Sequence, residues 1–575
     1  MQVISVSRAN CKNCYRCVRH CPVKAVKISG GQAEVVEDLC VFCGRCVIEC
    51  PQNAKKVKSE LEIVKGFIKS KERVIASIAP SYPAAFDVKS PYEMYAMLKN
   101  LGFCGAEETA VGAELVSSKF RKIAETSDVY PVITTACPVV KNLVEKYHPA
   151  LMKNLAPLVS PMVAHARFLK KRFVGKDVKV VFIGPCVAKK AEARDCSVSG
   201  DVDAVLTFQE LKEWLSEENK ASKLGNVYVE EGILEPFEAR NYPLPGGLLK
   251  TSLIKGDFLS EEVLVADGIE ECRELLDAVE KGKVNARILE MMACSGGCLG
   301  GPMIPRENSL YERRARLLSF IRENRRVGNS KICDYLFEID LGRTFERRVP
   351  NIAEPTEEDI KKILYKIGKT SPEKELNCGA CGYSSCREKA AAVYRGMAEV
   401  DMCIPYMRSR AESLANLIID NTPNAVILVD KDLKVREINR AGERMLGVEK
   451  EEVLARPLSD FMDDRDVVWV LANKSSLSSK KENYPRDFMT VLESILYIED
   501  AQLALVIMQD ISEQERQRKE LERVREETVK KAQEVINKQM RVAQEIAGLL
   551  GETTAESKVL LLRLIELVKS GGKEL

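Results

Sequence analysis

From about residue 60 to 350 the chain alternates short apolar, β-rich runs with amphipathic segments. The runs "VIASIAP" (74–80), "YPVITTA" (130–136) and "VKVVFIG" (178–184) read as buried strands, and "PYEMYAMLKNLG" (91–102) as a helix between them. This alternation predicts an α/β domain with its reactive residues at strand ends. Residues 411–512 follow another rhythm. Two alternating strands meet at "DKDL", a hairpin-type turn, Asn439 heads a helical segment, and "LALVIMQD" runs into a helix at an Asp-Ile-Ser-Glu cap. From about 513 to 550 the chain is highly charged and free of Gly and Pro until Gly548. Leu521, Thr528, Val535, Val542 and Leu549 recur there every seven residues, a partial coiled-coil seam. A single solvated helix is the competing reading, favoured by Thr528 and the charged flanking positions.

The 575 residues suffice for several domains with cores of their own. The 87 basic and 85 acidic residues leave a formal charge of +2, which argues against a nucleic-acid partner held by a global positive field. No apolar run is long enough to span a bilayer, and "MQVISVSRANCKNC" has no signal-peptide core. A cytoplasmic protein with no membrane partner is therefore expected. In that reducing compartment, twenty cysteines call for metal rather than disulfides. Eight precede residue 51, four lie between 378 and 403, and none follows Cys403.

Residues 11–22, "CKNCYRCVRHCP", and 40–51, "CVFCGRCVIECP", share the spacing C-x2-C-x2-C-x3-C-P. This is the spacing of bacterial two-cluster ferredoxins, where three thiolates of one loop cap a cubane and the fourth reaches the other cluster. Cys11, Cys14, Cys17 and Cys50 are assigned to one [4Fe–4S] centre, and Cys40, Cys43, Cys46 and Cys21 to a second. A zinc ribbon is the alternative, which the paired fourth cysteine and proline disfavour. Residues 1–58 carry ten Lys or Arg against four Asp or Glu. Such a face suits electrostatic steering of an acidic, ferredoxin-like redox partner, although the same charges also serve solubility.

Three cysteine motifs follow apolar runs in the middle region: "TTACP" (134–138), "GPCVAKKAE" (184–192) and "MMACSGGCLGGP" (291–302). In order and spacing they resemble the signature loops of the [FeFe]-hydrogenase catalytic domain, and the likeness covers residues 1 to about 350. It implies that Cys137, Cys186, Cys294 and Cys298 hold the [4Fe–4S] part of an H-cluster. Cys298 would also bridge to a diiron subcluster with CO, cyanide and an azadithiolate, built by diiron-site maturation proteins. Lys189 and Glu192 match the family's second loop, where the lysine faces a cyanide, and Met292 matches the third. Taken singly, each cysteine is also readable as an ordinary buried thiol, and for Cys104, Cys196, Cys272 and Cys333 that core reading is preferred.

The departures are as informative. Ala136 stands where the common catalytic form carries a proton-shuttling cysteine. Lys119 and Phe120 stand about where relay carboxylates are expected, and Gly184 where a methionine is usual. Ser160 keeps one hydroxyl of that route. Loss of a general acid–base step costs about 10²–10⁴ in rate, so slow turnover of H2 and protons is expected.

After the charged, linker-like stretch "EPTEEDIKKILYKIGKTSPEKE" comes "CGACGYSSC" (378–386), with Cys403 further on. Cys378, Cys381, Cys386 and Cys403 resemble the ligands of a small [4Fe–4S] domain of corrinoid and sensory iron proteins; zinc is the competing metal. Residues 411–512 resemble a PAS domain, a sensory and dimerisation module. With no His or Cys after Cys403, a histidine-ligated haem or cysteinyl flavin adduct is excluded there. His165 is the last histidine, so no phosphoacceptor follows and the signal would pass to a separate downstream signalling protein.

The expected organisation is multidomain α/β. It runs as a two-[4Fe–4S] ferredoxin-like domain (1–58), an H-cluster domain (59–350), a third [4Fe–4S] domain (351–410), an α+β PAS domain (411–512) and a helical, coiled-coil segment (513–575). The expected function is a sensory [FeFe]-hydrogenase, slow and reversible, acting as a homodimer. The rivals are a metabolic ferredoxin-linked hydrogenase and a redox-sensing protein with cubane clusters alone.

Overall fold

The computed structural model describes residues 2–173, 177–218, 234, 236, 238–254, 262–325, 339–484, 489–550, 559 and 563. The chain divides into two compact units, Met1–Tyr406 and Met407–Leu575.

In the first unit, strands β1 (Ile4–Val6), β2 (Val26–Ser29), β3 (Gln32–Val35) and β4 (Lys55–Val57) frame two cysteine loops. β1 pairs with β4 and β2 with β3, both antiparallel. Short helices Arg16–Arg19 and Arg45–Ile48 carry Cys17 and Cys46 inward. Little apolar side chain is present here, and the thiols themselves form part of the core with Val18, Val26 and Val35.

Seven strands follow: β5 (Arg73–Ile78), β6 (Gly105–Glu108), β7 (Val132–Ile133), β8 (Val178–Gly184), β9 (Ala204–Thr207), β10 (Val263–Asp267) and β11 (Ile288–Met292). They form two parallel sheets, ordered β6-β5-β8-β9 and β10-β11-β7. Parallel strands are covered on both faces, which is why β5 and β8 read as nearly unbroken apolar runs. The α/β expectation holds, and the division into two sheets is new. Ser90 caps the helix Pro91–Asn100 by accepting from Glu93 N, and a capping box of Thr207 with Glu210 opens Phe208–Glu217.

The stretch read as linker-like is partly helical instead. Glu357–Lys366 is a helix opened by a Thr356–Asp359 capping box. Ile360, Ile363, Leu364 and Ile367 recur on one face, and Leu364 and Ile367 bury against Ala390; that spacing was readable beneath the charge. The cysteine loop beyond it docks on the N-terminal module. Lys24 Nζ donates to Gly382 O at 2.9 Å, Arg19 Nη2 to Ala380 O at 3.1 Å, and Ile28 N to Met397 O at 2.9 Å.

In the second unit, β12 (Ala425–Val429), β13 (Val435–Ile438), β14 (Leu477–Tyr484), β15 (Met489–Ile498) and β16 (Leu503–Asp510) form one antiparallel sheet, ordered β13-β12-β16-β15-β14. Asn439 caps the helix Arg440–Leu446 as expected, and its side chain is fully bonded. It accepts from Val426 N and Gly442 N, both at 2.9 Å, and donates to Ile419 O and Asn424 O at 2.8 and 3.0 Å. Ser512–Leu550 is one helix. Leu521, Thr528, Val535 and Val542 are exposed along it in the single chain, and the side chain of Leu549 and most residues beyond 550 lie outside the described ones.

Candidate metal centre

Strands β7, β8 and β11 end at one place and deliver the loops that carry Cys137, Cys186 and the Cys294–Cys298 pair. All four thiols line a single cavity enclosing about 1030 Å³, its open mouth included. Burial and the Cys137 thiol push Cys186 up to about 11; burial and the Cys186 and Cys137 thiols push Cys298 up to about 12. Cys294 is raised further, by burial and then by Cys186, Cys137 and Cys298. Mutual repulsion of this kind is how crowded thiolates respond before a metal displaces their protons. Gly297 permits the approach: its φ is +70°, and a Cβ there would stand 2.2 Å from Pro243 O.

Lys189 stands at the cavity wall. Its Nζ donates to Glu192 Oε2 at 2.7 Å and reaches Ala136 O at 3.4 Å. Burial works to raise the Glu192 carboxyl, but Lys189 and Arg343 outweigh it and hold the group below its usual range. Arg343 Nη1 donates to Glu192 Oε1 at 2.6 Å. Ser160 Oγ donates to Glu192 Oε2 at 3.0 Å, so this serine belongs to the lysine's support. Ala136 and Met292 both line the cavity. Phe120 is buried in the core and Lys119 is exposed, so neither carries a proton toward Ala136. The Phe182 ring fills the place that a side chain at Gly184 would take, 2.7 Å from its Cβ position.

Sequence reasoning missed Glu290. It lies on β11 inside the apolar run "ILEMM", lines the same cavity and is 2% exposed. A charged residue inside a strand that is otherwise fully apolar was the available signal. Its carboxylate accepts from Leu248 N at 3.2 Å and Leu249 N at 3.0 Å, yet burial outweighs those bonds and pushes it up to about 7. Tyr242 and Ser81 also line the cavity, and burial raises the Tyr242 phenol against an opposing contact with Ser117.

The N-terminal cysteines fall into two groups. Cys17 is raised by burial and by Cys14, Cys11 and Cys50, whereas Cys46 is raised by burial and by Cys43, Cys40 and Cys21. Lys55 touches both sets: it lines a pocket with Cys11, Cys14, Cys17 and Cys50, and its charge also acts on Cys46. It is 4% exposed, and its Nζ has no hydrogen-bond partner among the described residues. A buried ammonium with no partner requires an anion; a thiolate-ligated iron–sulfur cluster on each side supplies one. The residues therefore fit two cubane clusters. Cys43 also lines the central cavity and acts on Cys294, so its cluster adjoins the main site.

Cys378, Cys381, Cys386 and Cys403 line one small pocket with Lys389, another almost fully buried lysine. Tyr383 packs between this loop and the N-terminal module, where Cys381 and Cys21 both act on it. Of the leftover cysteines, Cys272 is buried and Cys104 is half-buried, donating to Val74 O at 3.1 Å. Cys196 is exposed, against the core reading: it opens a one-turn 3₁₀ segment after Asp195, where no apolar wall covers it. Cys333 lies outside the described residues.

A chain that gathers four cysteine sets and carries a five-stranded antiparallel sheet of PAS type is an iron–sulfur protein with a PAS domain. Residues 72–302 match the family described as iron only hydrogenase large subunit, C-terminal domain. Residues 10–55 match the 4Fe-4S dicluster domain, 375–405 an Fe-S cluster family and 414–511 the PAS fold. Among curated proteins, Iron hydrogenase 1 of Clostridium pasteurianum is 26% identical over 310 residues, 44% of this chain and 53% of that one. The periplasmic [Fe] hydrogenase large subunit of Nitratidesulfovibrio vulgaris is 28% identical over 368 residues, 53% of this chain and 87% of that one. The cytosolic Fe-S cluster assembly factor NAR1 of Yarrowia lipolytica is 28% identical over 185 residues, 28% of this chain and 38% of that one. Thus the chain spans about half the length of the first relative. Among solved structures, the [FeFe]-hydrogenase HydA1 of Chlamydomonas reinhardtii is 19% identical, covering 50% of this chain and 99% of that one, with a TM-score of 0.40. Among the described residues no helix is long and apolar enough to cross a membrane.

Proposed function

We propose that the chain is a sensory [FeFe]-hydrogenase of low turnover, with an H-cluster held by Cys137, Cys186, Cys294 and Cys298. The observation that carries this reading is the meeting of those four thiols in one apolar cavity with Lys189 at its wall. When bound, the diiron unit with its CO, cyanide and azadithiolate ligands would supply reversible splitting of H2 into protons and electrons.

The chain's own residues do the rest. Lys189, held by Glu192, presents an ammonium to an anionic ligand at the wall. The apolar lining keeps bulk water out. The Glu290 carboxyl, pushed up to about 7, is poised to take and return a proton near neutral pH and so replaces the thiol absent at Ala136. Electrons would pass to the Cys21/Cys40/Cys43/Cys46 cluster beside Cys294. From there they would reach the Cys11/Cys14/Cys17/Cys50 cluster, or the third cluster through the Cys21–Tyr383–Cys381 contact. A ferredoxin-like protein is the external donor or acceptor.

The helix Ile404–Asn421 begins one residue after Cys403, and Asn439 of the PAS sheet bonds its Ile419 carbonyl. A charge change at the third cluster therefore acts at the start of a helix whose far end the PAS domain holds. The output is a change in affinity for a separate signalling protein, with the exposed seam of Ser512–Leu550 pairing two copies.

The test is infrared spectroscopy of the chain matured with diiron assembly enzymes, followed by partner capture with and without H2. Bands of metal-bound CO and cyanide, slow H2 uptake and H2-dependent capture are expected. Absence of those bands would favour the second reading, an iron–sulfur protein with cubane clusters alone, which the NAR1 match supports.

A further inference from the structure

A line of polar side chains leads away from the cavity on the side of the β5–β6 edge, and nothing in the proposed chemistry uses it. Thr109 lines the cavity. It occupies the N-cap position of the helix Ala110–Thr126, yet its side chain caps nothing. Its Oγ1 lies instead 2.7 Å from Ser77 Oγ, and Ser77 Oγ lies 2.8 Å from His165 Nδ1. The other ring nitrogen, Nε2, faces Glu107 Oε2 at 3.6 Å. Glu107 is bound by Arg172 Nη2 at 2.9 Å, and the Arg172 side chain is 23% exposed. Thr109, Ser77, His165 and Glu107 are all buried, His165 completely.

The surroundings are built for the imidazole. A Cβ at Gly112 would stand 2.3 Å from Pro161 O and 2.7 Å from His165 Cβ, so only glycine lets the helix Pro161–Arg172 bring His165 this close. The ring stacks on Phe168, and the Arg172 guanidinium lies over the same Phe168. A purely structural histidine would bond through both nitrogens, whereas Nε2 here has no partner within hydrogen-bond distance among the described residues, its nearest acceptor being Glu107 at 3.6 Å. Apo relays are often loose in this way and tighten in use.

We propose that Thr109, Ser77, His165 and Glu107 form a proton relay between the cavity and solvent at the Arg172 end. The proposal rests on the hydrogen-splitting reading above. A proton reaching Thr109 Oγ1 from cavity water releases the hydroxyl's own proton to Ser77. Ser77 passes its proton to His165 Nδ1, and the Nε2 proton leaves for Glu107 and then water. One proton enters, one leaves and no electron moves; the line resets when the two hydroxyls rotate and the imidazole returns from its Nδ1–H to its Nε2–H tautomer. The relay requires a proton on Nε2 and an acceptor at Nδ1 before each passage. Thr109 and Glu290 line the same cavity, so the relay carries outward, through cavity water, the proton that Glu290 takes up in place of the thiol absent at Ala136.

The experiment uses the full chain, matured with the diiron unit, as wild type and as Thr109→Ser, Thr109→Val and His165→Asn. Infrared bands of CO and cyanide, and their change on adding H2, report the cofactor and hydrogen splitting. Release of HD from D2 in water reports proton escape. Thr109→Val and His165→Asn are expected to keep the H2-induced band change and lose HD release at least 10-fold, with Thr109→Ser near wild type. Bands present but HD release unchanged in both blocked variants would overturn the relay alone. Absent bands would overturn the hydrogen reading and the relay with it. Should a variant lose its cofactor, the 15N imidazole spectrum of the wild type decides, since only three histidines contribute. A proton on His165 Nε2 supports the relay; one fixed on Nδ1 overturns it.

Discussion

Lys189 and Glu192 form a buried ion pair, Nζ to Oε2 at 2.7 Å, one turn apart on the helix that follows Cys186. The same carboxylate also holds Arg343, which continues to Asp195 at 3.2 Å, and Asp195 takes Lys141 at 2.8 Å. Removing one member of such a pair leaves its partners charged and buried, at a cost of about 3–5 kcal/mol. Glu192→Ala should therefore lower the stability of the hydrogenase segment by about that amount, with Glu192→Gln costing less. Thermal unfolding of the cluster-loaded variants checks this. Because Glu192 is held below its usual range, the pair's contribution is complete above the ordinary carboxylate pKa and disappears as pH falls through the depressed one. The Gln variant should accordingly lose less stability between pH 6 and acid than the wild type does.

Glu290 should show the opposite sign. Its folded pKa is about 7, above the unfolded value near 4.3, so the folded chain binds more protons between these limits. Stability should fall as pH rises from about 4 to 7 and then level off, by about 4 kcal/mol in all. Glu290→Gln should flatten that slope, making the variant more stable than wild type at pH 8 and little different at pH 4. Melting curves of the chain without the diiron unit at those two pH values are sufficient.

The same two positions separate the proton donors. Glu290→Gln should lower hydrogen turnover by about 10²-fold or more, the scale of a lost general acid. Ala136→Cys should recover little on its own. Lys119, where the family resemblance expects an acid, is exposed and Phe120 is buried in the core, so neither supplies an acid to recharge a new thiol. A return to fast turnover in Ala136→Cys would show that the route behind position 136 is intact.

The cysteine spacings made the metal sets readable, because a cubane fixes how many residues separate its ligands on a tight loop. Strand ends were readable for a similar reason: unbroken apolar runs such as "VKVVFIG" need cover on both faces. What the sequence hid depends on tertiary meeting. The docking of Gly382 on Lys24 joins residues 358 apart, and no local pattern announces it. Glu357–Lys366 hid beneath charge although its apolar face was regular. Thr109, Ser77 and His165 come from three elements, each unremarkable in its own segment, and only the fold places them in line.

Lys55 offers the last prediction. Its ammonium is buried with no hydrogen-bond partner among the described residues and acts on Cys17 of one set and Cys46 of the other. Reducing a cluster adds a negative charge, which a nearby fixed cation favours, so Lys55 should raise both reduction potentials. A unit charge several ångströms away at an effective dielectric near 20 amounts to about 1–3 kcal/mol, on the order of 40 to 130 mV for one electron. Lys55→Met should shift both N-terminal clusters down by that order in EPR-monitored titrations of the full chain, and Lys55→Arg should restore most of the shift. The third cluster, whose nearby buried cation is Lys389, serves as the internal reference and should not move. A shift confined to one N-terminal cluster would place Lys55 with that cluster alone, and no shift in Lys55→Met would mean that the two centres are not its counter-ions.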